Sequence, residues 1–218
     1  MTLSQDFNSA PTMTLTPEGT KEWCLNGLRH REDGPALEQT DGYKAWYIND
    51  LLHREDGPAI ERANGDKEWF RNGKRHREDG PAVEYADGGK QWHRNGQLHH
   101  EDGTAVEQAD GTKEWHRNGK LHRENGPAVE YANGTKLWYR NGKLHREDGP
   151  AVEHASGTNE WLINGKRLEA DEVISLLELL QQQKATELHK ALTEVLTKGF
   201  DKELVAPTTA RFKPKVRP

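Results

Sequence analysis

The seven tryptophans of this chain stand at Trp23, Trp46, Trp69, Trp92, Trp115, Trp138 and Trp161, each 23 residues after the last. A step that never slips means that one small unit is stacked repeatedly, with no insertion between neighbours. That constraint outweighs composition. Hydrophobic residues make up only 32% of the chain and charged residues 31%, close to a balance at which disorder is the ordinary expectation. Disordered chains have no reason to hold tryptophan in fixed register. The apolar residues are also too evenly spread for one central core, so the core is expected to be a thin line along the stack, with each Trp filling the space between units.

The units carry two kinds of turn. Asn-Gly recurs at 26–27, 72–73, 95–96, 118–119, 141–142 and 164–165, with Asn49-Asp50 as the exception. Asp-Gly, Asn-Gly or Ser-Gly recurs at 41–42, 64–65, 87–88, 110–111, 133–134 and 156–157. Both dipeptide classes tolerate the positive φ of tight hairpins. A third punctuation, H-R-E-D-G-P-A, ends regular pairing at Gly-Pro. Leu37, Ile60, Val83, Val106, Val129 and Val152 form an apolar column behind it. This pattern predicts two short strands per unit in an antiparallel meander.

The period, the W-x-x-N-G step and the closing x-D-G resemble MORN repeats, closest to the bacterial variant of antitoxin-like proteins. The resemblance covers residues 13–167 and implies rows of β-hairpins in one extended sheet. It also implies a bacterial or phage protein that neutralises a toxin, a defence factor or a host factor. The family's G-x-G is replaced here by H-R-E-D-G-P-A, so family ligands such as phosphoinositides are not carried over.

The expected fold is therefore mainly β, a MORN-like stack of antiparallel hairpins followed by an amphipathic α-helical segment. Residues 1–12 are expected to be flexible. Residues 13–167 hold seven units, opened by a half-unit at Met13–Gly19. Residues 168–199 form a helical cap or interaction segment, in which Val173, Leu176, Leu177, Leu180, Leu188, Leu192 and Val195 recur at helical steps. Asp171 is its expected N-cap, and Gln181–Gln183 a place for it to bend or split. Residues 200–218 are a disordered basic tail marked by Pro207 and Pro214. Arg211, Lys213, Lys215 and Arg217 in that tail put the rest of the chain at −9 against a total of −5, which argues against phosphate tracking by the body.

Cys24 is the single cysteine, so an internal disulfide and a thiolate zinc cage are not expected. The N-terminus has neither a basic start nor a signal-like apolar run. No segment approaches the ~20 apolar residues of a membrane span. A cytoplasmic protein is expected.

Histidine forms a column at His30, His53, His76, His99, His122 and His145, each followed three residues later by Asp or, once, Asn125. Metal ligation would need two units to converge on one ion, and columns about 10 Å apart do not. The expected role is hydrogen bonding of imidazole and carboxylate to the backbone of their own connection, with no metal and no cofactor. Arg31, Arg54, Arg77, Arg123 and Arg146, beside Glu32, Glu55, Glu78, Glu124 and Glu147, are expected to form a solvated charge ladder. A second basic column, Arg71, Arg94, Arg117 and Arg140, occurs in the central units only, next to Phe70, His93, His116 and Tyr139. Aromatic, imidazole and arginine side chains together are interface chemistry, so these eight residues are the candidate binding set.

No phosphate loop, nucleophile elbow or H-E-x-x-H is present, and a repeat presents the same residues many times rather than converging unlike ones once. The expectation is a non-enzymatic scaffold for a protein partner. The alternative is a binder of nucleotide, nucleic acid or anionic lipid through its Arg columns, and self-association through the C-terminal helix is a further possibility.

Overall fold

The computed structural model describes residues 10–200, with side chains through residue 195. The chain divides between Arg167 and Leu168 into two units, a β-hairpin repeat array and a following helix. The expected tail, with its prolines and four basic residues, lies outside the described residues, as do residues 1–9.

Six of the seven repeats hold four strand segments in two hairpins, where the sequence reading expected two strands; in the first, Lys21–Leu25 runs unbroken through Trp23. In the unit around Trp92, Val83–Glu84 and Lys90–Gln91 belong to the main sheet. His93–Arg94 and Gln97–Leu98 form a separate side hairpin. Trp92 is the corner between them. Its N–H donates to the Ala105 carbonyl at 2.9 Å and its carbonyl accepts from the His99 N–H at 3.0 Å. The chain therefore leaves the sheet at Trp without stranding a backbone polar group.

The main sheet is antiparallel throughout and contains 15 strands among the described residues. Val83 pairs with Gln91 in its own unit and with Glu68 of the unit before, and this double registration repeats along the array. Thr12–Leu15 opens it, with Thr14 opposite Glu22, the same eight-residue offset as Val83 to Gln91. The expected half-unit is thus a true first strand. One face of the sheet carries cross-strand neighbours of alternating sign: Lys67 faces Glu84, Glu84 faces Lys90, and Lys90 faces Glu107. Opposite charges at directly paired positions favour this register over slipped ones.

The two turn classes are built differently. At Asn-Gly both central residues have positive φ, as at Asn95 (52°) and Gly96 (86°), the geometry of a two-residue primed turn. In the Asp-Gly class only Gly is left-handed. The Gly88 N–H donates to Tyr85 O at 3.0 Å and the Tyr85 N–H to Gly89 O at 2.9 Å, a type I turn closed by a glycine bulge. Asp50 stands at φ 62° where other units have Gly. Its carboxylate accepts the Arg29 N–H at 2.8 Å, a local bond that helps an Asp tolerate this region.

The core is smaller than the tryptophan column implied. Ala36, Ala59, Ala82, Ala105, Ala128 and Ala151 are fully enclosed, and Ile60, Val83, Val106, Val129 and Val152 nearly so. The tryptophans are only half-buried. They do not fill a closed space between units; one face of most is covered by arginine.

The helix α1 spans Ala170–Phe200 without a break at Gln181–Gln183, consistent with glutamine being a good helix former. Its N-cap is Glu169 rather than Asp171. The Glu169 N–H donates to Glu172 Oε2 at 2.8 Å, and the Glu169 carbonyl accepts from the Val173 N–H at 3.0 Å, as in a capping box. Asp171 lies inside the first turn, where its charge complements the helix dipole. Leu188, Leu192 and Val195 are exposed. No helix among the described residues is long and apolar enough to cross a membrane.

Candidate functional site

The H-R-E-D-G-P-A segments form a row of loops, and the Arg of each closes its own loop. The Arg77 guanidinium lies 4.1 Å from the centroid of the Trp69 ring. Its Nε–H donates to Asp79 at 3.0 Å, and Nη1–H donates to the Pro81 carbonyl at 3.2 Å and to Glu84 at 2.9 Å. Arg31, Arg54, Arg123 and Arg146 stack on Trp23, Trp46, Trp115 and Trp138 at 3.8–4.1 Å. This arginine column is therefore a set of internal clasps, not a solvated ladder, and its partners are Asp and the distant Glu rather than the adjacent Glu. Arg31, Arg54 and Arg77 hold the carboxyls of Asp33, Asp56 and Asp79 below the usual aspartate range, chiefly through the Nε–H bond.

The histidine column also differs from its expected role. His76 Nδ1 accepts the backbone N–H of Asn95 at 3.2 Å. His53, His99, His122 and His145 accept from Asn72, Asn118, Asn141 and Asn164 at 3.1–3.2 Å. Each imidazole thus ties its loop to the left-handed turn of the next unit, not to its own connection. On the other side of the ring Nε2 lies within hydrogen-bond distance of a Glu two residues on in two units, Glu78 at 3.4 Å from His76 and Glu147 at 3.2 Å from His145. Among the described residues no group of three His, Cys, Asp or Glu could hold a metal ion.

The eight candidate binding residues separate by face, as alternation along a strand requires. Arg71, Arg94, Arg117 and Arg140 point outward with side chains 52–54% exposed, and pair with Glu78, Glu101, Glu124 and Glu147 at 2.7–3.5 Å. Phe70 and Tyr139 are half-buried, and His93 and His116 are buried at 7% and 9% exposure. His93 Nε2 meets Gln91 Oε1 at 3.1 Å, and His116 Nε2 meets Glu114 at 2.8 Å. Burial pushes the His93 imidazole below its ordinary range. Glu68 lies between Arg62 and Arg75, a polar interior where the last two units bring together Leu137, Leu144 and Leu162.

Three of the outward arginines, Arg94, Arg117 and Arg140, border clefts between successive loops. One cleft of about 850 Å³ lies between the first two loops, floored by Trp46 and Ile48. Three more, of about 430, 270 and 440 Å³, include Arg94, Arg117 and Arg140 respectively. His93 and His116 reach the second and third of these clefts from beneath. The result is a row of polar notches, three of which offer an outward arginine–glutamate pair beside a tryptophan. The arginine–tryptophan clasp and the histidine link were not read from sequence. The signal available for the first was that Arg31, Asp33 and Glu38 recur together with Trp23 in four of the seven units.

No protein-family model matches the chain, and no curated protein is detectably similar to it in sequence.

Proposed function

We propose that the protein is a non-enzymatic repeat scaffold whose row of inter-loop clefts binds a protein partner across the central units. The observation that carries this reading is the outward column of Arg71, Arg94, Arg117 and Arg140. Each is half-exposed and charge-paired at the constant repeat step, and Arg94, Arg117 and Arg140 each line a cleft. A partner spanning several units gains from regular spacing, as partners of extended repeat surfaces do. The matching glutamates cancel much of the positive field that phosphate recognition would need, which favours polypeptide over nucleic acid or lipid. The MORN-like period and turn steps support a neutralising role against a toxin, a defence factor or a host factor in a bacterial or phage setting.

The test is site-specific cross-linking in the native host, with a photo-reactive residue at position 94 or 117 and a control at exposed Tyr131 on a sheet-edge turn. The expected result is one protein species captured at 94 and 117 and absent at 131. Capture of nucleic acid or lipid alone, or equal capture at all three positions, would refute the reading.

A further inference from the structure

The fourth unit departs from the others at two linked positions. His100 replaces the clasping Arg and Thr104 replaces the Pro, giving H-H-E-D-G-T where other units have H-R-E-D-G-P or H-R-E-N-G-P. The rest of the arginine's setting is kept: Trp92, Asp102, Glu107 and the backbone of the bend. Thr104 Oγ1 donates to Glu107 at 2.7 Å, taking one of the bonds that Arg77 Nη1 makes to Glu84. His100 occupies the same place over Gly103 that the guanidiniums occupy over Gly34, Gly57 and Gly80. It meets Trp92 edge-on, however, with centroids 5.5 Å apart and planes at 82°. Its Nδ1 is buried without a partner. Asp102 has no arginine, whereas Asp33, Asp56, Asp79 and Asp148 each have one at 2.8–3.0 Å. Trp92, His100 and Asp102 together line the cleft of about 430 Å³.

We infer that this cleft takes an arginine side chain supplied by the protein partner, its guanidinium set against Trp92 and paired with Asp102. This rests on the reading of the clefts as a protein-binding face, and deepens it by naming an anchor. The precedent lies within the molecule, since the equivalent tryptophan already carries a guanidinium at 3.8–4.1 Å in five other units. Charge points the same way. Arg77 is committed to Asp79 and Glu84, Arg94 to Glu101, and Glu78 to Arg71, so the Asp102 carboxylate is the surplus charge of this cleft. A planar cation fits better than an ammonium, because stacking and a forked bond to carboxylate are both available to it.

The experiment titrates the full-length protein with Nα-acetyl-arginine amide and follows the seven indole N–H signals by NMR, with the Trp92 signal assigned from Trp92→Phe. The expected result is a saturable shift of the Trp92 signal alone, weaker with the lysine analogue. Asp102→Asn should weaken binding about two- to fivefold, the range of an exposed ion pair. His100→Arg should abolish the shift by restoring the internal clasp, with the other six signals unmoved as evidence that the fold is kept. No movement of Trp92, equal movement of all seven signals, or full binding by a folded His100→Arg would overturn the inference. Free arginine amide needs no partner, so its failure removes the anchor, whereas failure of the scaffold reading shows in the cross-linking.

Discussion

An arginine laid on a tryptophan does three things at once in this chain. It covers an aromatic face, satisfies the carbonyl of the Gly-Pro bend, and neutralises two carboxylates. Arg77→Ala should therefore cost about 1–3 kcal/mol, from a partly desolvated stack and charge-assisted hydrogen bonds. Arg71→Ala, which loses only an exposed pair, should stay within about 0.5 kcal/mol. Urea unfolding of the two variants measures the difference, and equal costs would contradict the clasp. At the same scale, burial lowers the His93 pKa, with Arg75 and His116 acting in the same direction, Glu68 and the Gly96 backbone opposing, and Gln91 at Nε2. Its folded pKa is depressed, so its contribution to stability is present above the unfolded histidine value of about 6.5 and is lost as pH falls through the folded value. Urea midpoints should drop on acidification through this window, and the drop should be smaller in His93→Phe. The residue columns were legible in the sequence because the period aligns them. Their partners were not: Asp79 and Glu84 reach Arg77 only after the loop has folded back, so adjacency in sequence pointed to the wrong glutamate.

At the scale of elements, the turns were the most legible part, because positive φ restricts which residues can stand there. Gly96 at φ 86° should not tolerate a side chain, so Gly96→Ala should cost more than about 1 kcal/mol. A melt indistinguishable from the parent would refute the primed-turn assignment. The strand count was less legible, since nothing in K-Q-W-H-R marks Trp92 as a corner rather than mid-strand. The core was misjudged for a related reason. Size and spacing favoured tryptophan, yet enclosure falls to Ala82 and Val83, where successive strands and the bend meet. Val83→Ala should cost about 2 kcal/mol, and Trp92→Ala no more than about 3 kcal/mol, because its side chain is only partly enclosed. Parallel denaturant titrations decide the order. The helix was readable from its three- and four-residue apolar steps, but its cap was not, because Glu169 acts through its backbone and Glu172 rather than through a favoured capping side chain.

At the scale of the whole molecule, every strand pairing among the described residues joins a unit to itself or to its neighbour. Stability should then be a sum of unit and nearest-neighbour terms. Excising residues 81–103, one full period, should leave a folded, cooperatively melting array with one fewer unit. Loss of cooperative unfolding would mean that the array depends on long-range closure. The row of clefts exists only at this scale, since each needs two loops and a side hairpin from adjacent units, and no stretch of sequence shows it. The measurement that bears most directly on the account is the affinity of the cross-linked partner for the parent and for Arg94→Glu/Arg117→Glu, with melting temperature recorded for both. The account predicts binding weakened by at least about tenfold, the scale of losing interface arginines, at an unchanged melting temperature. Full affinity in a folded double variant would contradict it and place the partner on another face of the chain.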